Sequence, residues 1–172
     1  FRMTAGSKKT CLLDDLVEKY SGPNHKIILS LIDTEITEKN RQALHNMIKD
    51  KSLYMIISNH EELMALFNTH DRDDALKTAS GMDQLFLTTL GRHGAAIVTP
   101  GHIEMVGTTT IPSEEIVDTV GAGDQFAAGL IGALAGGADL RTACENGGRH
   151  SAQILKIIGA RPTAVKNIDP AA

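Results

Sequence analysis

Two glycines flank a small residue and precede an aspartate at Gly121-Ala122-Gly123-Asp124, within Val117-Asp118-Thr119-Val120-Gly121-Ala122-Gly123-Asp124-Gln125-Phe126-Ala127-Ala128-Gly129. A helical pattern with Phe126, Leu130, Ala133 and Leu134 inward begins there, so unpaired N–H groups and the positive helix end converge on one point that suits an anion. A carboxylate at that point competes with an anionic ligand. It has a use if it takes the proton of a hydroxyl attacking a phosphoryl group that the N–H groups hold. On these four residues alone, a tight glycine turn with Asp124 as an ordinary helix cap is as good a reading. A dinucleotide-binding G-x-G-x-x-G loop is a weaker one, because its last position is Phe126. The chain beyond Phe126 also reads as helix upon helix, not as a βαβ unit with an acidic residue about 20 positions on. No G-x-x-x-x-G-K-[ST] phosphate loop exists in the chain.

The stretch Asp118 to Gly129 resembles the C-terminal signature of the ribokinase-like (PfkB) family of sugar and nucleoside kinases. Asn59-His60-Glu61-Glu62 matches that family's N-x-x-E element, and Thr89-Leu90-Gly91-Arg92-His93-Gly94 matches its T-x-G-x-x-G element, in the family's order. Ile158-Gly159-Ala160-Arg161-Pro162 resembles its Gly-Ala-x-Pro turn. The resemblance runs from Lys26 to Pro162 and is most similar to bacterial adenosine-kinase-like sugar kinases. It implies a three-layer α/β/α fold and ATP-dependent transfer of the γ-phosphoryl group to a hydroxymethyl group. A sugar or nucleoside is then the partner: adenosine or another ribosyl compound first, a fructose-type sugar second. Asp124 is implied as the base, with Gly121, Ala122 and Gly123 as the anion hole. Asn59 and Glu62 are implied near the triphosphate, Glu62 holding Mg²⁺ through water. Thr89 and Gly91 fall where the nucleotide phosphates and ribose pass, and the adenine pocket falls near Gly94 and the helix from Asn146 to His150. Asp118 and the Gly159-Ala160 turn fall where relatives hold a monovalent cation such as K⁺ through backbone carbonyls.

Plain readings stand beside several of these. Asn59 and Glu62 also suit ordinary capping, Gly91 a hairpin turn, and Arg149 and His150 a solvated helix face. The alternative function is a catalytically silent nucleotide-binding remnant of the same fold. Against it, a pure phosphate binder gains nothing from Asp124. Relatives are longer, and their N-terminal half supplies the sugar-gripping strands and the lid, so the chain is expected to belong to a longer protein.

The elements that must carry these residues alternate. An amphipathic helix from Cys11 to Tyr20 is stopped by Ser21-Gly22-Pro23, and Lys26 to Ile32 reads as a strand covered on both faces. Ile36, Ala43, Leu44, Met47 and Ile48 predict one helix capped by Thr34 or Thr37. The strand Leu53 to Ile57 leads into a Ser58-x-x-Glu61 capping box and a helix with Leu63, Leu66 and Phe67 inward. Asp71 to Ser80 reads as a helix and Gln84 to Leu90 as a strand. Ala95 to Thr99 and His102 to Val106 form a hairpin across Pro100-Gly101, which makes the sheet mixed. Ile116-Val117 is the expected strand entering the glycine motif, preceded by exposed Glu114 and Glu115. Helices run from that motif to Gly136-Gly137 and from Asp139 to Ile158. The expected fold is α/β, a mostly parallel sheet with right-handed crossovers, in one domain over 1–172.

Composition fits that reading. The 172 residues are 42% hydrophobic and 22% charged, within the globular range. The net charge of −4, with scattered basic residues, excludes an electrostatic footprint for nucleic acid. No apolar run approaches the roughly 20 residues of a membrane span, and the start, Phe1-Arg2-Met3-Thr4, carries no secretory pattern. Cys11 and Cys144 form no C-x-x-C pair, which suits a reducing cytoplasmic setting. Seven histidines show no metal-ligand spacing, so zinc is not expected. A homodimer is the assembly allowed for.

Overall fold

The computed structural model describes residues 12–20 and 25–161. Cys11, the Ser21-Gly22-Pro23 stop, Pro162 and the start of the chain lie outside the described residues. One sheet holds β1 (Ile28–Ser30), β2 (Met55–Asn59), β3 (Leu85–Thr89), β4 (Ala95–Thr99) and β5 (His102–Val106), in that spatial order. The first three strands are parallel; β4 and β5 are antiparallel to their neighbours, as the Pro100-Gly101 hairpin predicts. The helices are α1 (Leu12–Tyr20), α2 (Thr34–Lys39), α3 (Arg41–Lys49), α4 (His60–Phe67), α5 (Arg72–Ser80), α6 (Ala122–Ala135) and α7 (Leu140–Ile154).

The two-residue period of the strands splits the core into two faces. Ile56, Phe86, Ala96 and Val98 pack with Leu44, Met47, Leu63, Leu66 and Leu76 under α3, α4 and α5. Met55, Ile57, Leu87 and Ile97 pack with Phe126, Leu130 and Ala143 under α6 and α7. The architecture is therefore α/β/α, and burial on both faces explains why β2 and β3 read as nearly continuous apolar runs. On the second face, α6 and α7 approach closely because glycines meet side chains. The His150 ring lies over Gly129, and a Cβ at Gly147 would stand 2.7 Å from the Phe126 carbonyl oxygen.

Six local expectations are corrected. β1 covers only Ile28–Ser30 and is an edge strand among the described residues; Ile32, expected inside, is 81% exposed. The single helix expected over Ile36 to Ile48 is two, α2 and α3, broken at Asn40, whose Nδ2 donates to the Ile36 carbonyl and competes with the helical ladder. Its cap is Asp33, not Thr34 or Thr37: Asp33 Oδ1 accepts from Ile36 N at 3.0 Å. Ile116-Val117 is not a strand; a 3₁₀ turn at Ser113–Glu115 runs into irregular chain, and Val117 N donates to Leu155 O at 2.8 Å. Finally, α7 ends at Ile154, with Ile158 beyond it 83% exposed. His150, read as part of a solvated face, is half-buried, and burial lowers its pKa. Glu115 is exposed and pairs with Lys156 at 2.6 Å.

Candidate active site

Parallel strands deliver their C-terminal ends to one edge of a sheet, where ligands of open α/β folds bind. Register pairs Asn59 of β2 with Thr89 of β3, so the N-x-x-E and T-x-G-x-x-G strings begin side by side. The capping box forms one residue later than the sequence suggested. Asn59 Oδ1 accepts from Glu62 N at 2.8 Å and Glu62 Oε2 accepts from Asn59 N at 2.9 Å, while Ser58 stays in the strand, its hydroxyl 3.1 Å from that of Thr88. Glu62 is only 5% exposed, and burial raises its carboxyl above the ordinary range despite the Asn59 N–H.

The start of α6 faces the same edge. Gly121 is its cap, with φ +81°, and a Cβ there would stand 2.6 Å from Ala160 Cα; only glycine fits both demands. The capping reading of Asp124 therefore does not hold. Ala122 N donates to Thr119 O and Gln125 N to Gly121 O, leaving the Gly123 and Asp124 N–H groups without an acceptor among the described residues. Asp124 is exposed, and beyond the chain neighbours and backbone of α6 itself nothing lies within 4 Å of where a Gly123 Cβ would stand. Asp118 ties the segment before α6 to the turn after α7. Its two oxygens accept from Val120 N and Gly159 N at 2.9 Å each, which holds its carboxyl below the usual range. Gln125 Nε2 donates to Ala160 O at 3.2 Å beside it.

Two clefts flank this helix end. The first, of about 330 Å³, lies between the β3–β4 turn, the loop 107–111, the start of α6 and one face of α7. The second, of about 280 Å³, lies over the ends of β1 and β2. Thr89 and Gly123 line both. Gly91, Gly94 and Ala122 line only the first; Asn59, Glu62, Gly121 and Asp124 line only the second. Gly94 is mainly a packing glycine, since a Cβ there would stand 2.1 Å from Val106 O. Asn146 and Asp118 line neither; the Asn146 amide donates to Gly129 O at 2.8 Å and serves helix packing.

Sequence reasoning missed three contributors. Thr108, Thr109 and Thr110 line the first cleft from a segment read only as polar; three consecutive hydroxyls after a hairpin were the available signal. From α7 the lining residues are Cys144, Gly148, Ser151 and Ala152, of which only Gly148 falls in the expected Asn146 to His150 stretch, while Asn146 itself does not line the cleft. The Cys144 thiol is pushed up to about 12 by burial and stays neutral. Ser30, Leu31 and Ile32 line the second cleft from the end of β1.

Among the described residues no three His, Cys, Asp or Glu side chains converge as a metal cage. Mg²⁺ needs none, because it keeps waters and takes one or two carboxylates together with substrate phosphates. The desolvated Glu62 carboxylate at the second cleft fits that role. Asp118 fits less well as a cation ligand, since both its oxygens already accept N–H groups.

Residues 19–167 match the family model described as pfkB family carbohydrate kinase. The chain belongs to this family. Adenosine kinase of Schizosaccharomyces pombe is 34% identical over 76 residues, which are 44% of this chain and 22% of that protein. Adenosine kinase from Sinorhizobium meliloti superposes with a TM-score of 0.75 at 26% identity, covering 81% of this chain and 42% of its own. Fructokinase from Vibrio cholerae, solved with fructose, ADP and a calcium ion, has the same fold: TM-score 0.65, 23% identity, 78% and 46% coverage. The chain thus spans less than half the length of these relatives. Family membership, and α6 running directly into α7 without a strand, overturn the dinucleotide reading.

Proposed function

We propose that the protein carrying this chain transfers the γ-phosphoryl group of ATP to a hydroxymethyl group. The acceptor is a nucleoside or sugar, adenosine or a related ribosyl compound first and a fructose-type sugar second. One observation carries the reading: two clefts meet at Thr89 and Gly123, and Asp124 opens into only one of them. In this reading the larger cleft takes the nucleotide and the smaller the acceptor. The free N–H groups of Gly123 and Asp124 hold the phosphoryl oxygens where charge develops, and the Asp124 carboxylate takes the proton of the attacking hydroxyl. Glu62, steered by Asn59, lines the smaller cleft and would hold Mg²⁺ through water on the acceptor side of the Thr89–Gly123 junction, where the cation would neutralise charge on the phosphoryl group as it passes between the clefts. The adenosine and sugar kinases among its structural relatives support both acceptor classes. A K⁺ near the Asp118 and Ala160 turn would rest on backbone carbonyls.

An acceptor screen of the intact protein with ATP and Mg²⁺ tests this. A phosphorylated nucleoside or sugar is the expected product. Tight nucleotide binding with no phosphorylated acceptor would instead support the catalytically silent remnant.

A further inference from the structure

Arg92 is part of the T-x-G-x-x-G string, yet no role in the phosphoryl transfer falls to it so far. It is exposed, stands on the turn between β3 and β4 next to Gly91, and lines the larger cleft with Thr89 and Gly123. Among the described residues it is the one Lys or Arg side chain lining either cleft; the charged residues of the second, Glu62 and Asp124, are both acidic. Its surroundings set it apart from other arginines. Arg41 donates to Ala65 O, Arg72 pairs with Asp73, Arg141 with Glu104, and Arg149 donates to Asn146. Among the described residues, the only polar partner of Arg92 is the imidazole of its neighbour His93, at a long 3.5 Å. Arg161 stands apart from both clefts.

A guanidinium without a carboxylate, held at a cleft rim beside a helix end with free N–H groups, has the charge and fork geometry that phosphate oxygens require. The need is real, because the charged side chains of the neighbouring cleft, Asp124 and Glu62, are both acidic and offer a polyanion no cationic contact. We infer that Arg92 binds the phosphate chain of the nucleotide donor, an assignment that rests on the kinase reading and adds the cationic contact it lacks. Binding is by charge-assisted hydrogen bonds from the guanidinium, with no covalent step. The assignment concerns the phosphates alone and gives Arg92 no contact with base or ribose.

Equilibrium binding of ATP, ADP and adenosine to the intact protein, with and without Arg92→Gln and Arg92→Lys, tests the assignment. Arg92→Gln is expected to weaken ATP and ADP by about 10- to 100-fold and adenosine by less than about twofold, with Arg92→Lys between. The salt dependence of ATP binding should fall in Arg92→Gln. Circular dichroism and the melting temperature should match the parent, since the side chain is exposed. Unchanged ATP affinity, or an equal loss for adenosine, overturns the assignment and leaves the kinase reading standing. A parent protein that binds no nucleotide overturns both.

Discussion

The two glycines that bracket Ala122 have separate duties. Gly121 is structural: a Cβ would meet Ala160 at 2.6 Å, and its φ of +81° is costly for any other residue. Gly121→Ala should therefore destabilise the protein by at least about 1–2 kcal/mol, seen as a lower melting temperature. At Gly123 a Cβ meets nothing beyond α6 itself within 4 Å but stands in both clefts. Gly123→Val should leave the melting temperature nearly unchanged and weaken nucleotide binding. Asp124→Asn should lower kcat by about 10²- to 10⁴-fold while ATP still binds, since only the proton acceptor is lost; near-normal turnover would remove Asp124 as the base. Glu62 carries a pH signature. Its folded pKa is raised, so the fold is favoured by protonation. Stability falls as pH rises from the ordinary Glu value of 4.5 to the raised value, then levels off. Glu62→Gln should abolish that decline in denaturant titrations run across the window, while weakening the Mg²⁺ dependence of turnover.

Among the elements, α6 and α7 act as one unit, and small residues make this so. A side chain at 147 has no room against Phe126. Gly147→Val should cost about 1–3 kcal/mol by overpacking and should also widen the larger cleft, raising the ATP KM. Asp118 works differently, by pinning the turn after α7 to the entry of α6. Its folded pKa is lowered, so its contribution is present above the ordinary Asp value of 3.8 and disappears as pH falls through the folded value. In Asp118→Asn, the Gly159 and Val120 amides should exchange hydrogen faster at neutral pH; unchanged protection would show that the carboxylate is not what holds the turn.

For the whole molecule, the alternation of strands and helices was plain in the sequence because the periods of two and 3.6 are imposed by burial on both faces of β2 and β3. The glycine motif, the hairpin and the strings at Asn59 and Thr89 were legible for the same local reason: turns and caps restrict residue types. Distances across the chain were not. Nothing local states that Asn59 and Thr89 share a register, that the Asn146 amide bonds to α6, or that Thr108 to Thr110 line one cleft with the start of α6. Ile116-Val117 and Ile32 misled because two or three apolar residues look alike in a strand and in an exposed loop. Ile32 and Ile36, at 81% and 51% exposure beside edge strand β1, have a measurable effect. The 172-residue chain alone should self-associate with rising concentration in light scattering, and Ile32→Lys should suppress this. The ridge of Thr89 and Gly123 has a historical effect as well. A change on a wall shared by two rooms is felt in both, so under the proposed division of the clefts natural variation there would disturb donor and acceptor at once. The residues at the end of β1 border only one room. Under that division, substitutions at Ser30, Leu31 or Ile32 should change which acceptor is taken while leaving nucleotide binding unchanged.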